Sequence, residues 1–392
     1  RAALPRRLTY ALVGWLPRGC RADWHRQLAW FKPPLSSEEL GRLPAQLEPA
    51  DLRRWNLNVW CFSQRELIQI AAGILEDAGV VHPFKISPNA LVSFLSDVAA
   101  NYHPNPYHNF AHAVTVMHAS YILLRGGHVP ILPDGAVPPD ARFVDVKLED
   151  DTADARGDKP APGELTKLQE LALLLAALCH DLDHPGVSNA FLVNTDSHLA
   201  ILYNDESVLE NHHAATTFVL LHRHGLLTHL SNEEYRELRR LMCKTILGTD
   251  MASHKHSITD CSTMSAAGRA TDCVDVLKGI LHLADLSNAV LCWSLCRRWG
   301  LCVCDEFRQQ AQQEQAVGLP VTPHMSKLNS RLDIANLQVG FFDFVVTPLW
   351  SAAAGAFPAA RERMAQLEAN RAAWAEERDA AIAEAKENNG TR

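Results

Sequence analysis

The chain has 392 residues, 47% hydrophobic and 21% charged, which is enough for a large core and too apolar for wholesale disorder, a collagen repeat or a small disulfide scaffold. Its 37 basic and 45 acidic residues leave a formal net charge of −8, so no broad cationic surface is on offer to a phosphate backbone and nucleic-acid binding is disfavoured. Ten cysteines without a Cys-x-x-Cys pair fit a reducing, cytoplasmic setting rather than a secreted framework.

The sequence opens on Arg1, and residues 8–16 form a short apolar stretch between Arg6, Arg7 and Arg18. Without a small-residue cleavage site this reads as part of a longer chain rather than as a targeting peptide. Apolar positions then recur at spacings of three and four through 66–75, 91–98, 113–124, 165–178, 214–221, 235–247 and 274–283, which predicts helices. Ser87-Pro88 supplies a cap and a first-turn proline to one of them, and Ser231 ahead of Glu233 and Glu234 caps another. Between 126 and 163 the pattern fails in a run of six prolines and the cluster Glu149-Asp150-Asp151, so a solvated loop insertion is expected. The segment 358–386, rich in Ala, Glu and Arg, reads as a long exposed helix ending near Asn388-Asn389-Gly390. Long period-two alternation is missing, so the fold class is all-α. No stretch of about 18 uncharged apolar residues occurs; the best, 168–179, is short and contains Glu170, so no membrane span is predicted.

Histidine and carboxylate spacing carries the chemistry. His108 and His112 stand four residues apart, a spacing that on a helix places both imidazoles on one face. His180-Asp181-Leu182-Asp183-His184 follows the apolar segment 171–179, where four titratable groups would be costly to bury unless something binds them. Asp285 ends a further apolar segment. Each residue alone is more readily a helix cap or an ion-pair partner than a metal ligand. Together, two histidines and two aspartates offer nitrogen and oxygen donors without thiolate, a set suited to zinc, iron or manganese, and the spare oxygens of Asp181 could bridge to magnesium or manganese.

These elements resemble the class I cyclic-nucleotide phosphodiesterases, whose catalytic domain carries Tyr/Phe-His-Asn-x-x-His-Ala, His-Asp-x-Asp-His-x-Gly-x-x-Asn and Ala-Asp-Leu/Ile-Ser-Asn in this order. Here they stand at 107–113, 180–189 and 284–288, with further matches at 203–213, at Thr249-Asp250-Met251, at 337–341 and at Pro348-Leu349-Trp350. The resemblance implies a compact multi-helix catalytic domain of the HD type over 51–350 with the 126–163 insertion, an N-terminal extension over 1–50 and a C-terminal helical segment over 351–392. It implies two divalent metal ions, zinc held by His112, His180, Asp181 and Asp285, and magnesium or manganese bridged by Asp181. His184, Glu210 and His213 would orient ligands or waters. His108 resembles the general acid that protonates the leaving 3′ oxygen, and Glu306 the carboxylate that holds it, giving a nucleoside 5′-monophosphate. Gln338, Phe341, Val303 and Asn288 match the residues that read and clamp the base, with Tyr107 and Met251 lining the substrate. The implied partner is a cyclic nucleotide, cyclic AMP or cyclic GMP, and a homodimer is compatible with the family.

The sequence departs from the family pattern after Asn288, where Ala289-Val290-Leu291-Cys292 replaces a basic residue and proline, and in the run Gln312-Gln313-Glu314-Gln315 and at Ser326. Cys292, Cys296, Cys302 and Cys304 cluster nearby and read as buried or idle thiols ahead of a soft metal site. The stretch 105–110 is similar to cyclic-GMP-preferring members, yet an amide such as Gln338 pairs with either purine according to how its neighbours turn it. Two other readings compete: an HD-type phosphohydrolase of linear nucleotides, which the Gln338 and Phe341 clamp disfavours, and a domain that binds cyclic nucleotide without turnover.

Overall fold

Helix-forming sequence punctuated by Ser, Thr and Asn caps produces an all-helical chain. In the structure, a computed structural model, residues 35–126, 165–267, 270 and 272–390 are described; the expected loop beyond Gly126 and most of the N-terminal extension lie outside them. Among the described residues there is no β-strand, and twelve α-helices have seven residues or more. They are α1 (Gln64–Asp77), α2 (Pro88–Ala100), α3 (Phe110–Arg125), α4 (Lys167–Cys179), α5 (Val208–His224), α6 (Asn232–Leu247), α7 (His254–Ala267), α8 (Cys273–Asp285), α9 (Trp293–Ala316), α10 (Arg331–Phe341), α11 (Thr347–Ala353) and α12 (Met364–Gly390).

Two helices form the centre because they are apolar all round. In α3 residues 112–123 are buried, and in α4 every residue from Leu171 to Cys179 is. They pack on each other, α6 lies against α4, and α8 lies against α3. Capping boxes fix where several helices begin: Ser63 with Glu66, Thr166 with Gln169 and Ser231 with Glu234, each of which stabilises its helix by about 1 kcal/mol. The expected cap at Ser87 is different. Its side chain makes no capping bond, and only Pro88 in the first turn marks the start.

The C-terminal helix also departs from expectation. It breaks after Pro358–Arg361 and resumes as α12, and it is not an exposed appendage: Leu367, Asn370 and Trp374 are each 1% exposed. These three positions recur every three to four residues on a helix that packs against α10, α9 and the 3₁₀ turn Ser287–Val290, a stripe hidden in the sequence by the surrounding Ala, Glu and Arg.

The run Arg331–Ala353 is helical throughout and is long and apolar enough to cross a membrane by length and composition. Val346, Leu349, Trp350 and Ala353 are nevertheless buried, with α11 against α7 and α10 against α12. A π-turn over Phe342–Val346 precedes Pro348, which lacks the N–H that a regular turn requires.

Candidate metal centre

Three helix ends meet at one point. Asn109 caps α3 by accepting from the His112 N–H at 3.1 Å, which sets His112 in the first turn. His180 and Asp181 follow directly on α4, and Asp285 is the last residue of α8. His112 Nε2 lies 3.3 Å from Asp181 Oδ2 and 3.2 Å from Asp285 Oδ1, and His180 Nε2 lies 3.1 and 3.2 Å from the same oxygens. Donors about 2.0–2.2 Å from a tetrahedral zinc stand about 3.3–3.6 Å apart, so the spacing is close to that of a coordination shell. The four donor atoms all lie within 4.8 Å of one another. Buried His112 Nε2 makes no hydrogen bond, and an orphaned imidazole nitrogen facing two carboxylates is what a cation would satisfy. His180 Nδ1–H donates to Ala177 O at 2.9 Å, so Nε2 is the ring nitrogen turned to the cluster, where it meets Asp285 Oδ1 at 3.2 Å. Burial opposes charge on Asp181 and Asp285, yet His180 and its neighbours hold both carboxyls well below the usual range.

His108 reaches this centre by a route other than the expected helix face. It precedes the Asn109 cap and so lies outside α3, with its ring 5.8 Å from that of His112. What places it is Glu306 on α9, 4% exposed, whose Oε2 accepts from the Tyr107 and His108 N–H groups, each at 3.0 Å, while Oε1 pairs with His108 Nδ1. Burial pushes the His108 imidazolium down, but the charges of Glu306 and Asp181 outweigh it and lift its pKa to about 9.

The His184 ring stacks on His108 at 4.0 Å. Its Nδ1 accepts from the Gly186 N–H at 3.0 Å, and burial together with the His108 charge keeps it neutral, well below its ordinary value. His213 Nδ1–H donates to Leu182 O at 2.7 Å, its Nε2 stands 3.8 Å from Asp181 Oδ1, and burial lowers its pKa to about 4. Asp181, His184 and His213 thus form a second convergent set beside the first. Glu210 stands apart from both. It accepts from Asn189 Nδ2 at 3.0 Å, and burial raises it to about 7.

The remaining positions divide. Val303 and Phe341 are partly buried against the core. Gln338 is 5% exposed, and its Nε2 donates to Gly300 O at 3.3 Å and approaches Cys304 Sγ at 3.8 Å. Asn288 sits on the 3₁₀ turn Ser287–Val290, and its buried Oδ1 makes no hydrogen bond. Tyr107 is inward, its ring 4.7 Å from that of His112, whereas Met251 is 48% exposed.

Sequence reasoning missed Asp183, although it is the second aspartate of the His-Asp-x-Asp-His run. Its carboxylate takes His103 Nε2 at 2.7 Å and His212 Nε2 at 2.8 Å, its N–H donates to Asn101 O, and its φ is +64°. The turn between two metal-ligand candidates and His184 is thereby tied to two other elements. Although burial opposes it, hydrogen bonding to the two histidines lowers the carboxyl pKa to about 2.

Known proteins resemble this chain over most of its length. Residues 107–367 match the family described as 3′5′-cyclic nucleotide phosphodiesterase. A Rattus norvegicus 3′,5′-cyclic-AMP phosphodiesterase 4C is 32% identical over 375 residues, covering 90% of this chain and 63% of that protein. A Drosophila melanogaster dual specificity calcium/calmodulin-dependent 3′,5′-cyclic nucleotide phosphodiesterase 1 is 35% identical over 308 residues, covering 75% of this chain and 33% of its own length. The chain therefore spans less than two thirds of these curated relatives. The crystal structure of the phosphodiesterase domain of Salpingoeca rosetta rhodopsin phosphodiesterase superposes with a TM-score of 0.73 at 29% identity, covering 90% of this chain and 98% of that domain.

Proposed function

The chain belongs to the 3′,5′-cyclic nucleotide phosphodiesterase family, and from that premise we propose that it hydrolyses a purine 3′,5′-cyclic nucleotide to the nucleoside 5′-monophosphate in a metal-dependent reaction. The observation that carries this reading is the convergence of His112, His180, Asp181 and Asp285 beside a histidine held by a buried carboxylate. Zinc at the four-residue site and magnesium or manganese beside Asp181 would supply positive charge to the phosphate oxygens and lower the pKa of the attacking water.

The chain's own residues supply the rest. With Nδ1–H committed to Glu306, His108 keeps Nε2–H for the leaving group. As a water that has released one proton to solvent adds to phosphorus as hydroxide and the P–O3′ bond breaks, the His108 proton passes to O3′, so the ring opens to a 5′-monophosphate without a free alkoxide. His184 and His213, both kept neutral, do not compete as acids and are free to orient the Asp181 side.

At the base, a carbonyl can only accept, so the contact with Gly300 O fixes the Gln338 amide with its nitrogen turned inward. Oε1 takes no hydrogen bond from the described residues and remains as an acceptor; in one shared base pose it meets the 6-amino donor of adenine or the 6-oxo acceptor of guanine, and guanine reaches it only by shifting to offer N1–H. Cyclic AMP is the preferred substrate on this argument, against the likeness of 105–110 to cyclic-GMP-preferring members. The ten cysteines include no Cys-x-x-Cys pair, which favours a reducing, cytoplasmic setting.

The purified chain with zinc and magnesium should convert cyclic AMP to 5′-AMP with kcat/KM at least about tenfold above that for cyclic GMP, since the unmatched base leaves a buried acceptor facing another acceptor. Product analysis by chromatography decides it. Turnover of linear nucleotides alone, or tight binding without product, would overturn the reading, and a cyclic GMP preference would overturn the base assignment.

A further inference from the structure

Asn370, 1% exposed on α12, spends both amide hydrogens on one short turn: Nδ2 donates to Ala289 O at 2.8 Å and to Leu291 O at 2.7 Å. Its Oδ1 accepts from Gln366 Nε2 at 3.0 Å, one helical turn earlier. Trp55 Nε1 donates to the intervening Val290 O at 3.1 Å, and the Cys292 N–H donates to Asn56 Oδ1 at 2.8 Å. Three successive carbonyls and the following N–H are thus satisfied by side chains rather than by a helix. A turn held this way has its position dictated from outside.

The turn begins two residues after Asp285 and carries Asn288, whose Oδ1 is buried without a donor. The same helix backs the other reader. A Cβ on Gly300 would stand 2.9 Å from Trp374 and 3.1 Å from Gln338 Cδ, so Trp374 and Gln338 together fill the space that the glycine leaves. Asn370 and Trp374 both lie beyond residue 367, where the family match ends.

We propose that Asn370 is a positioning residue of the nucleotide site: by holding Ala289 and Leu291 it fixes the turn that presents Asn288 to the substrate, and α12 is the rear wall of the base end. This rests on the functional reading above. Asparagine is required because both carbonyls need a donor; aspartate has the same shape but offers none and sets a negative charge against them.

The test uses the full chain with zinc and magnesium and compares wild type, Asn370→Asp and the milder Gln366→Leu, which removes only the bond that steadies Asn370. Three quantities are read: bound metal, steady-state kinetics on cyclic AMP, and amide hydrogen exchange over 286–292. Asn370→Asp should keep its metal, hold kcat within about threefold and raise KM about tenfold, the pattern of lost substrate binding with intact chemistry. Gln366→Leu should move KM in the same direction by about threefold. Exchange over 286–292 should quicken in both while α4 stays protected. Unchanged KM with quickened exchange would sink the link to the nucleotide, and unchanged exchange would sink the clamp itself. A parallel fall in metal content and kcat would mean that Asn370 acts through Asp285 instead. Were the wild type to turn over no cyclic nucleotide, the functional reading would fall and the nucleotide role with it, whereas the exchange result would still judge the clamp.

Discussion

Glu306 uses one oxygen for two backbone N–H groups and the other for an imidazole, so a single carboxylate sets both where His108 sits and what charge it carries. Burial by itself would make His108 a poor acid at neutral pH; Glu306 is the largest of the charges that reverse this and raise its pKa to about 9. Cations at the Asp181 and Asp285 oxygens would neutralise the support that those carboxylates give, and Glu306 would then sustain the imidazolium alone. The sign follows: the protonated ring is the proton donor, so activity is held below the folded pKa and lost as pH rises through it. Stability runs the same way, since a histidine raised above its ordinary value contributes fully below about 6.5 and loses that contribution as pH passes the raised value. Glu306→Gln keeps the shape and removes the charge. The alkaline limb of the kcat profile should move down by at least about one pH unit, and kcat at neutral pH should fall about 10²-fold with metal content unchanged. An alkaline limb that stays where it was would assign the proton to another group. Only the family resemblance supplied this pairing from the sequence: Glu306 lies 198 residues from His108, and local spacing does not distinguish it from a surface glutamate.

The element that most constrains the site is the short connection after α4. Asp183 has φ +64° and Gly186 has φ +76°, a region where side chains other than Asn, Asp and Gly are strained. A Cβ on Gly186 would stand 2.9 Å from Asn105 Oδ1. Asn105 cannot easily give way, because its Nδ2 donates to His108 O at 2.9 Å and to His184 O at 2.8 Å. Gly186→Ala should therefore cost about 1–3 kcal/mol in urea unfolding and weaken zinc retention through His184 and Asp181; an unaltered midpoint would mean that the connection relaxes freely. The interiors of α1 to α6 and of α8 were legible, since three- and four-residue periodicity and the Ser231 capping box are local, whereas α7, α9, α10 and α11 left no such pattern to read. Legibility failed where a start depends on one residue. Asn109, itself a capping type, begins α3 after His108, so the four-residue spacing of His108 and His112 led to the right neighbourhood for the wrong reason. In α12 the buried stripe is sparse, one residue in three or four among alanines, and the packing of α10, α9 and the Ser287–Val290 turn against it shows which face is covered.

For the molecule as a whole, the ligand set is assembled by the fold. Residues 112, 180, 181 and 285 come from three helix termini brought together by the packing of α3, α4 and α8. Spacing along the chain showed which residue types cluster locally; that the three clusters share one centre came from resemblance, because tertiary convergence leaves no periodic trace. Convergence also has a cost that can be measured. Two half-buried carboxylates meet at the centre, and the Asp181 charge works against ionisation of Asp285. A cation that binds the folded but not the unfolded chain removes this repulsion and stabilises by about 4 kcal/mol at a free concentration roughly a thousand times its Kd. Chelation should therefore lower Tm by about 5–10 °C at a few degrees per kcal/mol, with zinc restoring it. Asp181→Asn separates repulsion from coordination: one negative charge leaves the cluster and with it the proposed bridging ligand. The chelated variant should melt somewhat below chelated wild type, because the imidazoles that hold Asp181 ionised lose their partner, and added zinc should no longer raise its Tm. A variant that lost stability without metal and still responded fully to zinc would show that Asp181 supports the fold rather than the ion.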